Sequence, residues 1–168
     1  GHYGGSVLML SRQGGADETD WFSARGNLEF VGGDAILSGV VVGTVENGSG
    51  QLRITFNSAA TQARLNEVLS SLGYANSSDT PPDNVTVVWN FSDQDSGGPL
   101  SAVGTTVVNI TKVNDHPTGS LSISGTASYG QVLTADTSGI ADADGLQAFS
   151  FKWFRDGAEI SGAMSSTY

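Results

Sequence analysis

Val40-Val41-Val42-Gly43-Thr44-Val45, Asn47-Gly48-Ser49-Gly50 and Leu52-Arg53-Ile54-Thr55-Phe56 stand almost end to end in the chain, and together they read as strand, turn and strand. Side chains along a strand alternate between two faces, so Leu52, Ile54 and Phe56 share one face and Arg53 and Thr55 the other. Asn-Gly between two such runs is a strong short-range hairpin signal. The same grammar continues upstream in Ser6-Val7-Leu8-Met9-Leu10, ended by Gly14-Gly15, and in Leu28-Glu29-Phe30. Downstream, past the rigid turn Asp79-Thr80-Pro81-Pro82-Asp83, Val85, Val87, Trp89 and Phe91 alternate with Thr86, Val88, Asn90 and Ser92. The turn Asp93-Gln94-Asp95-Ser96-Gly97-Gly98-Pro99 then leads into a long strand from Ala102 to Val113. Short strands with turns at frequent intervals predict an all-β fold of the sandwich type.

One stretch departs from period two. Leu65, Val68, Leu69 and Leu72 recur at helical spacing while Gln62, Arg64, Asn66 and Glu67 between them are polar, which predicts a short helix near 59–72. Asn57 or Ser58 would cap its start and Gly73 would stop it. Its apolar stripe is expected to pack on the sheets.

Beyond Pro117 a second β unit begins. Leu121 and Ile123 lie on one strand, Gln131-Val132-Leu133-Thr134 on the next, and Phe149, Phe151 and Trp153 alternate on a third before the turn Arg155-Asp156-Gly157. A unit of about 50 residues buries too little surface to close a sandwich. The domain division is therefore expected at 1–115 and 116–168, the second being part of a domain truncated at its C-terminus.

Composition narrows the function. Seven Lys and Arg stand against 17 Asp and Glu, a formal net charge of −10. Such a surface repels phosphate backbones, so nucleic acid is an unexpected partner and cations an expected one. Charged residues are only 14% of the chain, which separates it from disordered polyacidic tails. The chain has no Cys, which removes disulfides and thiolate chemistry and leaves metal ions as a staple. No run approaches the roughly 20 apolar residues of a membrane span, so membrane insertion is not expected.

Two acidic motifs flank the change of character between the units. Val113-Asn114-Asp115-His116-Pro117 closes the first β pattern, and Asp142-Ala143-Asp144-Gly145 lies early in the second. A hard cation such as calcium takes six to eight oxygen ligands, more than one loop easily supplies. Asn114 and Asp115 meeting Asp142 and Asp144 would form a calcium-stiffened joint. Asp, Asn and Gly also dominate ordinary turns, where their side chains cap backbone groups, and for Asp79 and Asp83 the plain turn is the better reading.

Residues 3–117 resemble the cadherin-like repeats of large bacterial surface adhesins of the RTX type. The resemblance rests on an ordered set: Tyr3-Gly4-Gly5, Arg12-Gln13-Gly14-Gly15-Ala16, Phe56-Asn57 before an Ala-Thr-Gln helix, Tyr74-Ala75-Asn76 with Pro81-Pro82, Trp89-Asn90-Phe91-Ser92-Asp93, and Asn114-Asp115-His116-Pro117. Residues 118–168 are similar to a bacterial immunoglobulin-like repeat through Gly125-Thr126-Ala127, Asp142-Ala143-Asp144-Gly145, Trp153-Phe154-Arg155-Asp156-Gly157 and Ile160-Ser161-Gly162-Ala163. The linker is poorer in acids and amides than that of metazoan cadherins. The resemblance implies an extracellular or cell-surface location, tandem repeats of the same chain as partners, and a cell-surface or polysaccharide ligand as a further partner class. It also implies a second set of calcium ligands, Asp17, Glu18 and Asp20 with Asp93 and Asp95, gathered at one end of the first domain.

The function expected is that of a structural or adhesive extender rather than an enzyme. His2 and His116 are the only histidines, and neither has the setting of an oriented catalytic base. Acids in turns are not a hydrolytic pair without a cleft. The rival reading is a carbohydrate-binding accessory domain of a multimodular extracellular enzyme, for which Trp21, beside Asp20 and Phe22, is the one tryptophan expected to be exposed. A row of two or three exposed rings would favour it.

Overall fold

Three two-residue turns build most of the large sheet. The computed structural model describes residues 3–93 and 101–168. In it β3 (Leu28–Val31), β4 (Asp34–Leu37), β5 (Val40–Gly48) and β6 (Gln51–Phe56) form an antiparallel meander. The loops are Gly32-Gly33, Ser38-Gly39 and Ser49-Gly50, each with both residues at positive φ. That backbone matches the twist of the flanking strands, which is why such turns favour tight hairpins. The third loop corrects the sequence reading by two residues: Asn47 and Gly48 are strand residues, with Asn47 opposite Leu52 and Gly48 opposite Gln51. The Asn47 side chain instead donates through Nδ2 to the Phe22 carbonyl at 2.7 Å.

β1 (Val7–Arg12) pairs with β6 on one side and with β8 (Asn84–Ser92) on the other, and β9 (Ser101–Asn109) adds the far edge. The sheet order is β3-β4-β5-β6-β1-β8-β9. Over it lies a two-stranded ribbon of β2 (Asp20–Ala24) and β7 (Leu72–Asn76), together with the helix α1 (Gln62–Ser70). The expected all-β, sandwich-like architecture is thus present, with a second layer much narrower than the first.

The core lies between these layers. Leu8 and Leu10 of β1, Leu52, Ile54 and Phe56 of β6, and Val85 and Val87 of β8 are buried against Phe22 of β2 and Leu65 and Val68 of α1. Burying each such side chain contributes roughly 1.5–3 kcal/mol. A nine-residue helix is too short to be stable alone, so α1 rests on Leu65 and Val68. Its cap is Thr61, with extended backbone and Oγ1 accepting from the Arg64 N–H at 3.4 Å. Asn57 does not cap it, because Asn57 bonds the Ala59 N–H and the Val41 carbonyl. Gly73 does not stop the helix either. It is a β7 residue opposite Ser23, and the Arg25 side chain lies where a Cβ would stand.

The chain divides into two compact units, Gly1–Lys112 and Val113–Tyr168. The division falls three residues before the expected one, and a hydrogen bond from the Asp115 N–H to Asp144 ties the intervening residues to the second unit. That unit consists of three two-stranded ribbons: β10 (Thr118–Gly119) with β13 (Ile140–Ala141), β11 (Ser122–Ser124) with β12 (Thr134–Asp136), and β14 (Phe154–Arg155) with β15 (Ala158–Glu159). Ala135 and Trp153 are its buried hydrophobics. The indole N–H of Trp153 donates to the Ser165 carbonyl at 2.9 Å, and the ring packs against Tyr168. The strand expected at Phe149–Trp153 forms no ladder, and Phe149 and Phe154 are exposed.

Gly50 has two independent reasons to be glycine: φ is +72°, and a Cβ would stand 2.0 Å from the Asp17 carbonyl oxygen. Gly33 shares the conformation but faces open space. Gly50→Ala is expected to cost about 2–4 kcal/mol in urea unfolding, and Gly33→Ala about 1–2 kcal/mol. Equal costs at the two positions would show that the close approach to Asp17 carries no energy.

Candidate functional site: the acidic loops

The first acidic loop is organised around an arginine. On β1 the inward parity runs Leu8, Leu10, Arg12, and on β2 it runs Asp20, Phe22, Ala24. Arg12 therefore ends its strand pointing between the layers, where Asp20 begins the next. The Asp20 side chain has no solvent exposure. Arg12 donates to it twice, Nε to Oδ2 at 2.9 Å and Nη2 to Oδ1 at 2.6 Å. Tyr74 Oη donates to Oδ1 at 2.5 Å, and Asn76 Nδ2 donates to the same oxygen at 2.8 Å. Tyr74 and Asn76 lie on β7 opposite Phe22 and Asp20. One carboxylate thus joins the last residue of β1 to both strands of the ribbon.

Asp17 completes the arrangement. Its Oδ1 accepts from the Thr19 N–H at 3.0 Å and the Thr19 hydroxyl at 2.7 Å, and its Oδ2 lies 3.2 Å from Arg12 Nη1. Burial pushes Asp20 up, but the hydrogen bonds from Arg12, Tyr74 and Asn76 outweigh it and hold Asp20 below the usual carboxylate range. The Thr19 side chain and backbone likewise hold Asp17 low. Arg12 is raised, chiefly by its bond to Asp20. Bidentate pairing of this kind is among the stronger hydrogen-bonded arrangements.

The expected partnership of this loop with Asp93 is not formed. β1 and β8 are antiparallel neighbours, with Val7 opposite Ser92 and Arg12 opposite Val87. The residues following them therefore fall at opposite ends of the sheet. Asp93 lies beside Ser6, whose hydroxyl donates to the Asp93 carbonyl at 3.5 Å, while Asp17 and Asp20 lie at the Arg12 end. Glu18 is exposed in its turn. Asp95 lies outside the described residues. Asp83 is paired with Lys112 at 3.0 Å on an exposed surface, an interaction of at most about 1 kcal/mol.

The second acidic loop does bring expected residues together. The Asp115 N–H donates to Asp144 Oδ2 at 2.7 Å, and the Asp144 N–H donates to Asp142 Oδ1 at 2.9 Å. The Gly145 N–H reaches the Asp142 carbonyl at 3.2 Å, closing the turn. Asn114 bends back on the Asp115 carbonyl at 2.7 Å. Asp115 and Asp144 are exposed and Asp142 is half-buried. Among the described residues no three or more acids or histidines converge into a set fit to hold a metal ion. The Asp142–Asp144 loop is a turn with carboxylates at its surface.

Trp21 is exposed, as expected, because Phe22 takes the inward position next to it. Three other exposed rings, Tyr129, Phe154 and Tyr168, border one groove of about 600 Å³ in the second unit with Gln131 and Arg155. Comparison with protein-family models, with curated proteins and with solved structures finds no match to this chain.

The depressed Asp20 fixes the sign of a pH effect. A group whose folded pKa is lowered contributes stability above its unfolded value, and that contribution is lost as pH falls through the folded value. Unfolding free energy is therefore expected to fall steeply below about pH 4. Asp20→Asn should cost about 3–5 kcal/mol at pH 7 and show a shallower acid limb in urea titrations across this range. An unchanged acid limb would remove Asp20 as its source.

Proposed function

We propose that this chain is an extender segment of a large extracellular or cell-surface protein, built from tandem β units that transmit position and load. The observation that supports this most is the organisation itself. Two β units follow one another, divided at Lys112 and Val113, and the acids beyond that division are gathered with the Asp142–Asp144 loop. The likeness of residues 3–117 to cadherin-like repeats and of 118–168 to immunoglobulin-like repeats agrees with it. The polar side chains with the densest hydrogen bonding, Arg12, Asp20, Tyr74 and Asn76, join structural layers, each bonded to another of the set.

Calcium enters this reading at one place. Asp142 and Asp144 each engage a backbone N–H through one oxygen, leaving the other to face a cation. Because a hard cation needs more oxygens than this loop offers, the remaining ligands would come from water, backbone carbonyls or a neighbouring repeat. The glycan-binding reading draws its support from the rings of Tyr129, Phe154 and Tyr168 around one groove, since an aromatic face beside polar groups suits a sugar.

Thermal unfolding in millimolar calcium and in chelator tests the extender reading. Calcium is expected to raise Tm by several degrees, as ligand linkage requires when a site is saturated, and Asp142→Asn with Asp144→Asn should abolish the rise. An unchanged Tm in a chain that also carries its neighbouring repeats would contradict calcium as the stiffening agent.

A further inference from the structure

We infer that Arg12 occupies the place of a cation in the first acidic loop, so that Asp17 and Asp20 are fastened without a metal and closed to calcium. The resemblance to cadherin-like repeats implies a divalent ion at Asp17, Glu18 and Asp20, and the geometry shows what stands there instead. A single guanidinium lies 2.6 Å from Asp20 and 3.2 Å from Asp17. Both Asp20 oxygens are engaged, Oδ2 by Arg12 and Oδ1 by Arg12, Tyr74 and Asn76. A carboxylate oxygen offers two lone pairs in its plane, so Oδ1 with three donors has no further capacity for a metal. Asp17 Oδ1 is taken twice by Thr19. A calcium ion would have to displace the guanidinium and leave it uncompensated beside a dication.

The arrangement also lacks the flexibility that calcium sites use. The ligands of a hard cation usually come from a loop able to adjust. Here Arg12, Asp20, Tyr74 and Asn76 stand on three strands, fixed by the β1–β8 and β2–β7 ladders. Asn76 also holds Thr19 at 2.9 Å, so even the loop residue that orients Asp17 is tied to a strand. The fastening of the ribbon to the sheet is therefore expected to be indifferent to calcium concentration. This holds whatever the Asp142–Asp144 loop does.

The experiment uses the full chain carrying Asp142→Asn and Asp144→Asn, which removes any response from the second loop. Terbium(III) serves as the probe, with Trp21 next to Asp20 as the sensitising ring. Terbium luminescence excited through tryptophan is expected to be absent, or present and unaffected by Asp17→Asn. A signal abolished by Asp17→Asn would overturn the inference. In the same background Arg12→Gln should lower Tm by about ten degrees or more, as expected when one partner of a buried ion pair is removed. Millimolar calcium should then recover part of the loss, because two carboxylates are left without their cation. A Tm unmoved by Arg12→Gln, or one that falls and ignores calcium, would also overturn it. If Arg12→Gln does not fold, the terbium measurement on the parent background decides the matter.

Discussion

A guanidinium paired with a buried carboxylate is the most densely bonded point at which the two layers of the first unit meet. Apolar side chains such as Leu10 and Phe22 attract one another without strong directional preference, and a ribbon of two strands can slide on a sheet at little cost in buried area. The Arg12–Asp20 pair opposes such a slide, together with the Asn47 bond to the Phe22 carbonyl. Two parallel N–H bonds fix distance and orientation together, and the Tyr74 and Asn76 donors fix the second strand of the ribbon to the same point. Buried ion pairs often add little net stability compared with an apolar replacement, because desolvation offsets their attraction. Their contribution here is to the register between layers. Breaking one partner is another matter, since the other charge is then left in a dry site.

The rest of the unit is arranged around that point. The meander of tight turns makes a wide sheet, and β1 in its middle carries Leu8, Leu10 and Arg12 inward. The second layer is only β2, β7 and α1, so it cannot cover the whole sheet. Toward β9 the inward positions are Ala102, Gly104 and Thr106, opposite Phe91, Trp89 and Val87. These three positions are exposed, and a cavity of about 260 Å³ bordered by Trp89, Thr106 and Val108 lies where the cover thins. Trp89 answers by donating its indole N–H to the Thr106 hydroxyl at 3.0 Å, which satisfies its polar edge without a partner from the ribbon.

Much of this was legible from period alone. The alternation of Leu52, Ile54 and Phe56 and of Val85 and Val87 gave the core strands, and Leu65 and Val68 gave the buried side of the helix. Period did not reveal β2 or the Arg12–Asp20 clasp, because reading a strand from apolar alternation assigns charges to solvent. Asp20-Trp21-Phe22 breaks that assumption: the carboxylate points inward and the tryptophan outward. The available signal was parity, since Arg12 continues the inward series of Leu8 and Leu10. The mistaken union of Asp17 with Asp93 came from taking their loops to one end of the sheet, whereas antiparallel neighbours send their trailing residues to opposite ends. The helix bounds were missed for a different reason. Asn57 has the chemistry of a cap, but its Oδ1 accepts from the Ala59 N–H ahead of the helix while its Nδ2 donates to β5, and Thr61 takes the role. In the second unit, alternation at Phe149, Phe151 and Trp153 predicted a strand that finds no partner, because a strand needs a neighbour for its backbone groups as well as a pattern.

A double-mutant cycle between Arg12 and Asp20 tests the central claim most directly. Arg12→Gln, Asp20→Asn and the double variant would be compared by urea unfolding at pH 7 in chelator. The account predicts strong coupling, with the double variant more stable than the sum of the single costs implies by about 2–3 kcal/mol. Costs that add to within about 0.5 kcal/mol would show that the two residues act independently, and the clasp would not be what joins the layers.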